Sequence, residues 1–385
     1  MKKRVLVLGC TGSIGRSTLD IIRSHPDLFT VAGLSAHLNE SELLKLSKEF
    51  DTGQTALSGA VPRCDAVQYH GQERLLTFIE ETEADIVVNG IAGSDGLLPS
   101  IAALQSGKDL ALANKETIVM AGNLVRELAE KKERNILPVD SEHSALFFLF
   151  KGFNGLSITE IILTASGGAF RDTAAAQLDR VTFRDALKHP TWDMGKKITI
   201  DSATLANKGL EVIEAHLLFS VPPESISVVI HPQSRIHSLV RTKEGSLYAQ
   251  ISDPDMRIPI QNALTFPEVI DSSFGRMNLG NSPGDCTELT FRSVDEKKYP
   301  MLPLAFSAAR AGGAAPIVYN AANEIAVNGF IAEHIGYYGI PRVVESTLER
   351  NWENLITSFE QIIEIDKRAR TEATAEIQKI AQGVT

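Results

Sequence analysis

Cysteine is scarce: Cys10, Cys64 and Cys286 are the three in 385 residues. They are odd in number, far apart and free of any C-x-x-C spacing, so neither a disulfide framework nor a thiolate zinc site is expected. Long apolar runs are absent too. No stretch approaches the roughly 20 apolar residues that a membrane-spanning helix needs. The run Val5 to Leu8 behind the basic N-terminus is too short for a signal-peptide core, which makes the cytoplasm the expected location. Positive charge is in deficit: 38 Lys and Arg face 48 Asp and Glu, for a net charge of −10. With no basic stretch to follow a phosphate backbone, nucleic acid is not expected as a partner. What remains is a composition of 43% hydrophobic and 22% charged residues, that of a folded globular protein rather than a disordered or fibrous one. The length predicts two or three domains.

The N-terminal part reads as an α/β domain. RVLVL (4–8) is a β-prone run, GCTGSIG (9–15) a glycine loop, and STLDIIRSHPDLF has helical spacing of its apolar residues. Strand-like segments at 30–35, 84–90, 109–114 and 135–140 then alternate with helical ones. Such alternation predicts a Rossmann-like, doubly wound parallel sheet over residues 1–143. From about residue 144 to 270 the texture becomes α+β: ITEIILTAS, ITID, SISVVIH, IHSLVRT and SLYAQIS all read as strands. The stretch 271–295 is rich in Gly, Ser, Asn and Pro and reads as a linker. Residues 296–385 carry only helical periodicity, which predicts a C-terminal helical bundle.

Gly9, Gly12 and Gly15 lie between a predicted strand and a predicted helix, the context in which such spacing points to a dinucleotide. Glycines let the backbone approach a pyrophosphate, and a helix N-terminus offers free N–H groups. Thr11 and Ser13 add hydroxyls. A turn that merely needs glycine is the alternative. At the end of the second strand, LSAHLN (34–39) has no acid for a ribose 2′-OH, which favours NADP, yet no Arg or Lys for a 2′-phosphate. Ser35, His37 and Asn39 are the available donors.

Asp140 and Glu142 follow the apolar run NILPV. As alternate residues at a strand end they point the same way, where open α/β sheets bind ligands. Oxygen-only ligation suits Mg²⁺ or Mn²⁺; a helix cap beside a solvated partner is the plainer alternative. Residues 201–216 read as one helix with Asn207, Lys208 and Glu211 on one face. Gly209 beside them is a poor helix former whose presence suggests the close approach of a ligand. Ser166-Gly-Gly168 can cradle an anion, and HPTWDM (189–194) reads as either a lid or a buried domain junction. Lys115, at the end of DLALAN, can polarise a carbonyl or simply start a helix. His231, between apolar residues in a strand, reads as structural.

Taken in order, GCTGSIG, LANKE, PVDSEHSA, SGGAFR, HPTWDMGKKITIDSATLANKGLE, HPQSRIHS, DMRIPIQNAL and NAANEIAV closely resemble the 1-deoxy-D-xylulose 5-phosphate reductoisomerases across residues 9–327. The resemblance implies a homodimer that rearranges this sugar phosphate and reduces it with NADPH to 2-C-methyl-D-erythritol 4-phosphate. It implies a divalent Mg²⁺ or Mn²⁺ on Asp140, Glu142 and Glu211, with Lys115, Glu142 and His189 as catalytic residues. Ser166, Ser202, Asn207 and Lys208 match positions that hold the substrate phosphate. Ser141, Lys115, Glu142, His189 and Glu211 match other substrate-contacting positions, and Trp192 and Met194 a flap over the substrate. Gly9 to Gly15 (with Ile14), Asn114, Lys115, Glu116 and Gly195 match cofactor positions. His37 and Leu38 depart from the family's usual Gly and basic residue, so a weaker preference for NADP over NAD is expected. A semialdehyde dehydrogenase is disfavoured because none of the cysteines stands in a catalytic motif. A non-catalytic dinucleotide sensor would not need the three carboxylates together.

Overall fold

A computed structural model describes residues 1–383 apart from 154–156, 193, 273, 276 and 281–286. Cys286 and Asp193 of the HPTWDM loop therefore lie outside the described residues. The chain forms two compact units: Met1–Thr117, Val125–Ser144 and Asp255–Arg276 in the first, Ile118–Leu124, Ala145–Pro254 and Met277–Thr385 in the second. The central sheet and the C-terminal helices thus share one unit by contact density. The segment 255–270, expected with the central part, packs in the first, where Lys3 Nζ donates to the Leu264 carbonyl at 2.7 Å.

The first unit is built on seven strands: β1 Lys3–Leu8, β2 Phe29–Ala36, β3 Thr55–Leu57, β4 Tyr69–His70, β5 Ile86–Asn89, β6 Asp109–Leu112 and β7 Ile136–Pro138. Their order is β4-β3-β2-β1-β5-β6-β7 with parallel pairing throughout, the doubly wound arrangement expected. Val5 to Leu8 are fully buried, as are Val87 and Val88, because a parallel sheet is covered on both faces. The short β3 and β4 and the helix Gln72–Glu81 gave no clear sequence signal. Register fixes the functional edge: Leu8 pairs with both Ser35 and Asn89, Asn89 with Leu112, and Leu112 with Pro138. All five strand ends therefore open on one side, and strand order reverses between β1 and β5, where such sheets bind ligands.

The second unit carries β8 Ile158–Ala165, β9 Ile226–Ile230, β10 Ile236–Thr242, β11 Leu247–Ile251 and β12 Arg292–Ser293 in the order β11-β10-β8-β9-β12. β8 and β9 are parallel and the other pairs antiparallel, so the sheet is mixed, in line with the α+β texture. β12 falls in the stretch expected to be linker. Helices follow at Met301–Ala311, Ala315–Ile331, Gly339–Leu348 and Phe359–Ala381, the bundle that the helical periodicity predicts. One core (Leu146, Ile161, Leu163, Val212, Val240) lies against the sheet, and a second (Leu210, Ile213, Ala305, Tyr319, Val344) joins the helices. The helix Ala206–Phe219 contributes to both, which places its polar face in a fixed setting.

Three local expectations are corrected. ITID is not a strand but part of the helix Lys196–Thr204. There Thr199 Oγ1 donates to the Gly195 carbonyl at 2.8 Å and Ile200 is fully buried, so packing overrides β-branched propensity. The single helix expected over 201–216 is broken at Leu205, whose φ of +58° ends one helix and starts the next. Asp140 and Glu142 are not alternate strand residues. β7 stops at Pro138, Ser141–Gly152 is helical, and the Asp140 carbonyl accepts from Ser144 N at 2.8 Å as that helix begins.

Candidate active site

In the first unit, Gly9 leaves β1 with φ +75°, a conformation side chains rarely adopt, and Gly12 precedes the helix Ser13–Ser24. A Cβ on Gly15 would stand 2.4 Å from the Gly9 carbonyl oxygen, so the third glycine is required by the loop's own close packing. Gly12 and Ser13 are exposed, Thr11 and Ile14 half-buried. Gly12 makes no side-chain cap, which leaves the N–H groups of the first helical turn directed outward at a strand end.

The three donors expected near a 2′-phosphate are placed differently. Ser35 is buried and its Oγ accepts from Gly9 N at 3.3 Å, tying β2 to the glycine loop. Asn39 caps the helix Glu40–Glu49, its Oδ1 accepting from Glu42 N at 3.2 Å. His37 is exposed and caps no backbone group, with Nδ1 3.1 Å from Ser58 Oγ. Gly59 lies flat against this ring: a Cβ there would come within 2.2 Å of it. Sequence reading missed Ser58 and Gly59, because they follow β3, a three-residue strand that β-propensity alone does not reveal.

Asn114 is buried and latches the strand-end loops. Its Nδ2 donates to the carbonyls of Ile91 (2.8 Å) and Gly93 (2.7 Å), and its Oδ1 accepts from Thr117 N (3.0 Å) and Thr117 Oγ1 (2.6 Å). It is also the N-cap of the helix beginning at Lys115. Lys115 Nζ pairs with Asp140 Oδ2 at 2.5 Å, with only 6% and 12% of the two side chains exposed. Ser141 Oγ donates to Glu142 Oε2 at 2.5 Å. Glu116 is buried beside Asn114, whose Nδ2 is 3.1 Å from Glu116 Oε2. The first unit thus sets a glycine loop, a buried lysine and two carboxylates along one sheet edge.

In the second unit His189 stands between two serines: its Nε2 is 3.0 Å from Ser166 Oγ and 3.1 Å from Ser202 Oγ. Its Nδ1 accepts from Trp192 N at 2.9 Å and Thr191 N at 3.2 Å. Those bonds fix the tautomer with the proton on Nε2, which can then donate to one serine. Burial, reinforced by the Arg171 guanidinium, lowers the His189 pKa to about 4, so the ring stays neutral at physiological pH. Arg171 was not expected from sequence. Its Nη1 donates to the Ser166 carbonyl at 3.1 Å, and Gly168 N donates to Ser166 Oγ at 3.2 Å. Trp192 and Met194 are half-buried and Gly195 is exposed at the start of the helix Lys196–Thr204.

On the helix Ala206–Phe219, Asn207 Nδ2 donates to Glu211 Oε1 at 2.5 Å and the Lys208 ammonium pairs with Glu211 Oε2. Lys208 and Glu211 are buried, which rules out the solvated surface that their charges would otherwise suggest. Gly209 does not admit a ligand. A Cβ there would lie 2.6 Å from the Tyr319 hydroxyl and 2.7 Å from Ala305 Cβ, so two helices meet at this glycine. His231 is structural as expected: it is buried, stacks on Phe291 and has Nδ1 2.9 Å from the Thr290 carbonyl.

A parallel sheet with a glycine-rich first loop, joined in one chain to a unit with buried hydroxyl, lysine and carboxylate groups, defines an α/β oxidoreductase built on a dinucleotide-binding fold. The comparisons with known proteins narrow this. The family model for 1-deoxy-D-xylulose 5-phosphate reductoisomerase matches residues 5–122, and models for the C-terminal domains of that enzyme match 136–219 and 251–372. Reductoisomerases of that name from Treponema denticola and Crocosphaera subtropica are each 46% identical, over 100% and 96% of this chain and 99% and 95% of their own. A crystal structure of DOX-P reductoisomerase with NADPH, fosmidomycin and magnesium is 38% identical with a TM-score of 0.89, covering 99% of both chains. The Zymomonas mobilis enzyme with NADPH is 38% identical with a TM-score of 0.89, covering 98% of this chain and 99% of that one. The chain belongs to the 1-deoxy-D-xylulose 5-phosphate reductoisomerase family. Among the described residues, no helix is long and apolar enough to cross a membrane.

Proposed function

We infer that the chain converts 1-deoxy-D-xylulose 5-phosphate to 2-C-methyl-D-erythritol 4-phosphate with NADPH and a divalent metal, a step of isoprenoid synthesis. The full-length match to the family carries this reading. The residue roles that follow are proposed, supported by the geometry within each unit. NADPH, the hydride donor, is assigned to the exposed N–H groups of Gly12 and Ser13 and the adjoining loop from Gly9 to Gly15. Asn114 has its side-chain amide engaged inside the protein, so its contribution is to shape the loops at 91–93, or to offer its backbone. His37 is assigned to the 2′-phosphate edge; Ser35 and Asn39 support it through the fold.

Asp140, Glu142 and Glu211 are the proposed ligands of Mg²⁺ or Mn²⁺, and an all-carboxylate set fits a hard divalent cation better than zinc. The cation supplies charge stabilisation to substrate oxygens when it is bound. Lys115 orients the Asp140 carboxylate through their buried ion pair. Lys208 and Asn207 orient Glu211, and a buried lysine and amide beside it suit an anionic substrate. Ser166 and Ser202, bridged by neutral His189, offer hydroxyls to the phosphate group without the cost of placing another cation. Remote phosphate contacts of this kind turn binding energy into orientation of the reacting carbons. Trp192 and Met194 are assigned to exclude water.

A division of labour between an NADPH part built on 1–143 with 255–270 packed on it, a part for catalysis and dimerisation within 145–254, and the helical region 296–385 that shares the latter's unit, with a homodimer and a cytoplasmic location, completes the proposal. The deciding experiment is NADPH oxidation with the ketose phosphate, with and without Mg²⁺, in the parent and in Glu211→Gln. Loss of most turnover with NADPH affinity retained is expected; unchanged turnover refutes the carboxylate role.

A further inference from the structure

The two serines assigned to the substrate phosphate, Ser166 and Ser202, lie on short segments packed backbone against backbone: a Cβ on Gly168 would stand 2.4 Å from the Ser202 carbonyl oxygen. Neither segment sits in the middle of a regular element. Ser166 follows the last residue of β8, and Ser202 is two residues from the end of a helix that stops at Leu205. Both therefore lie near the ends of their elements, where side chains from residues 298–337 add further bonds.

Tyr299, 3% exposed, donates its hydroxyl to the Gly167 carbonyl at 3.2 Å, next to Ser166. Lys298 Nζ donates to the Arg171 carbonyl at 2.9 Å, at the far end of the same loop. On the other segment, Asn323 is fully buried and its Nδ2 donates to Asp201 Oδ1 at 2.9 Å, while Asp201 Oδ2 pairs with Lys197 Nζ at 3.0 Å. Tyr337, 2% exposed, donates its hydroxyl to the Ala203 carbonyl at 3.2 Å. Residues 201 and 203 are thus each held from the C-terminal helical region, by a helix residue and by a turn residue, with Ser202 between them. A buried polar side chain is costly unless it is bonded, so each of these groups has one low-energy arrangement, and that arrangement dictates where the two serines stand.

Resting on the phosphate assignment above, we propose that Tyr299, Asn323 and Tyr337 are positioning residues of the phosphate pocket: the C-terminal helical region pre-sets Ser166 and Ser202 for the anion. None of the three touches the substrate. Each acts through the backbone, or through the Asp201 carboxylate, beside a serine. Their loss leaves a pocket that must reorganise on binding, which weakens the ground state and the transition state alike. KM then rises while kcat is nearly kept.

The test uses the full chain with NADPH and Mg²⁺ and reads three quantities: KM against kcat for the sugar phosphate, the inhibition constant of inorganic phosphate competing with it, and the NADPH dissociation constant. Tyr337→Phe and Tyr299→Phe each keep the ring and remove one hydrogen bond, for which about a fivefold rise in KM and in the phosphate inhibition constant is expected, with NADPH affinity unchanged. Asn323→Ala is expected to act in the same direction, and the exchange Asp201→Asn with Asn323→Asp to restore much of the loss. Unchanged phosphate inhibition in both Phe variants overturns the proposal, as does an equal loss of phosphate and NADPH affinity, which marks general loosening. Ser166→Ala and Ser202→Ala separate the two layers. If they leave phosphate inhibition untouched, the phosphate assignment fails and the proposal falls with it. If they weaken it while the Phe variants do not, only the positioning role fails.

Discussion

Replacing Gly209 by alanine sets two calculable effects against each other. In an isolated helix the change is favourable by about 1 kcal/mol, because glycine loses more backbone freedom on folding. Here the added methyl would stand 2.6 Å from the Tyr319 hydroxyl and 2.7 Å from Ala305 Cβ. Tyr319 is fully buried, and its hydroxyl is anchored to the Met301 carbonyl at 3.1 Å. Ordinary contact requires the neighbours to retreat by about 1 Å, and overpacking of this kind costs about 1–3 kcal/mol. If the hydroxyl is driven from its carbonyl, a further cost of about 1–3 kcal/mol follows. The net expectation is a loss of about 2 kcal/mol in the stability of the second unit, measured by urea unfolding at constant m-value. Since Lys208 and Glu211 share this helix, KM should rise in parallel. Gly209→Ala with Tyr319→Phe should recover part of the loss by removing the nearest atom. A Gly209→Ala protein as stable as the parent, or more stable, refutes the helix-contact account and reopens close approach by a ligand.

The His189 imidazole, held down to about 4 by burial and Arg171, should titrate near that value by proton NMR; a midpoint near 6.5 refutes the buried geometry. With the folded pKa below the unfolded one, the stability carried by the neutral ring is complete above pH 6.5 and is lost as pH falls from there towards 4. His37→Ala should weaken 2′,5′-ADP binding, by calorimetry, while leaving 5′-AMP binding nearly unchanged; equal effects on both exclude the 2′-phosphate role. In the parent, kcat/KM with NADH equal to or above that with NADPH would exclude NADP preference altogether. Asn114→Ala, which leaves the Ile91 and Gly93 carbonyls without their donor, should cost about 1–3 kcal/mol of stability and raise the NADPH dissociation constant; an unchanged constant removes its loop-shaping role.

Much of the first unit was legible because its signals are local. Alternating apolar runs, a glycine loop between strand and helix, and acids after a strand are periodic or contiguous features. The same locality misled at ITID, where β-branched residues suggested a strand. Burial of Ile200 and the bond from Thr199 to Gly195 made it a helix, because propensity differences are smaller than the packing gained. Ser58 escaped notice for the opposite reason. Its partner His37 is 21 residues away, and only the pairing of β2 with β3 brings them together.

By itself, the sequence determined the class of fold, the family and the identity of the groups able to do the chemistry, since these depend on residue type and spacing. The tertiary structure alone decided what each group does with its hydrogen bonds. Ser35 and Asn114 turn inward to hold loops, Asn39 spends its oxygen on a helix start at the surface, and the exposed His37 pairs with Ser58. Gly209 serves a helix contact. The scarcity of cysteine and of positive charge gave no reason to expect disulfides, thiolate metals or nucleic acid. It could not foretell that buried tyrosine hydroxyls and a buried asparagine would fasten the loops instead. Such bonds join residues more than a hundred positions apart, and their partners are fixed only once the chain has packed.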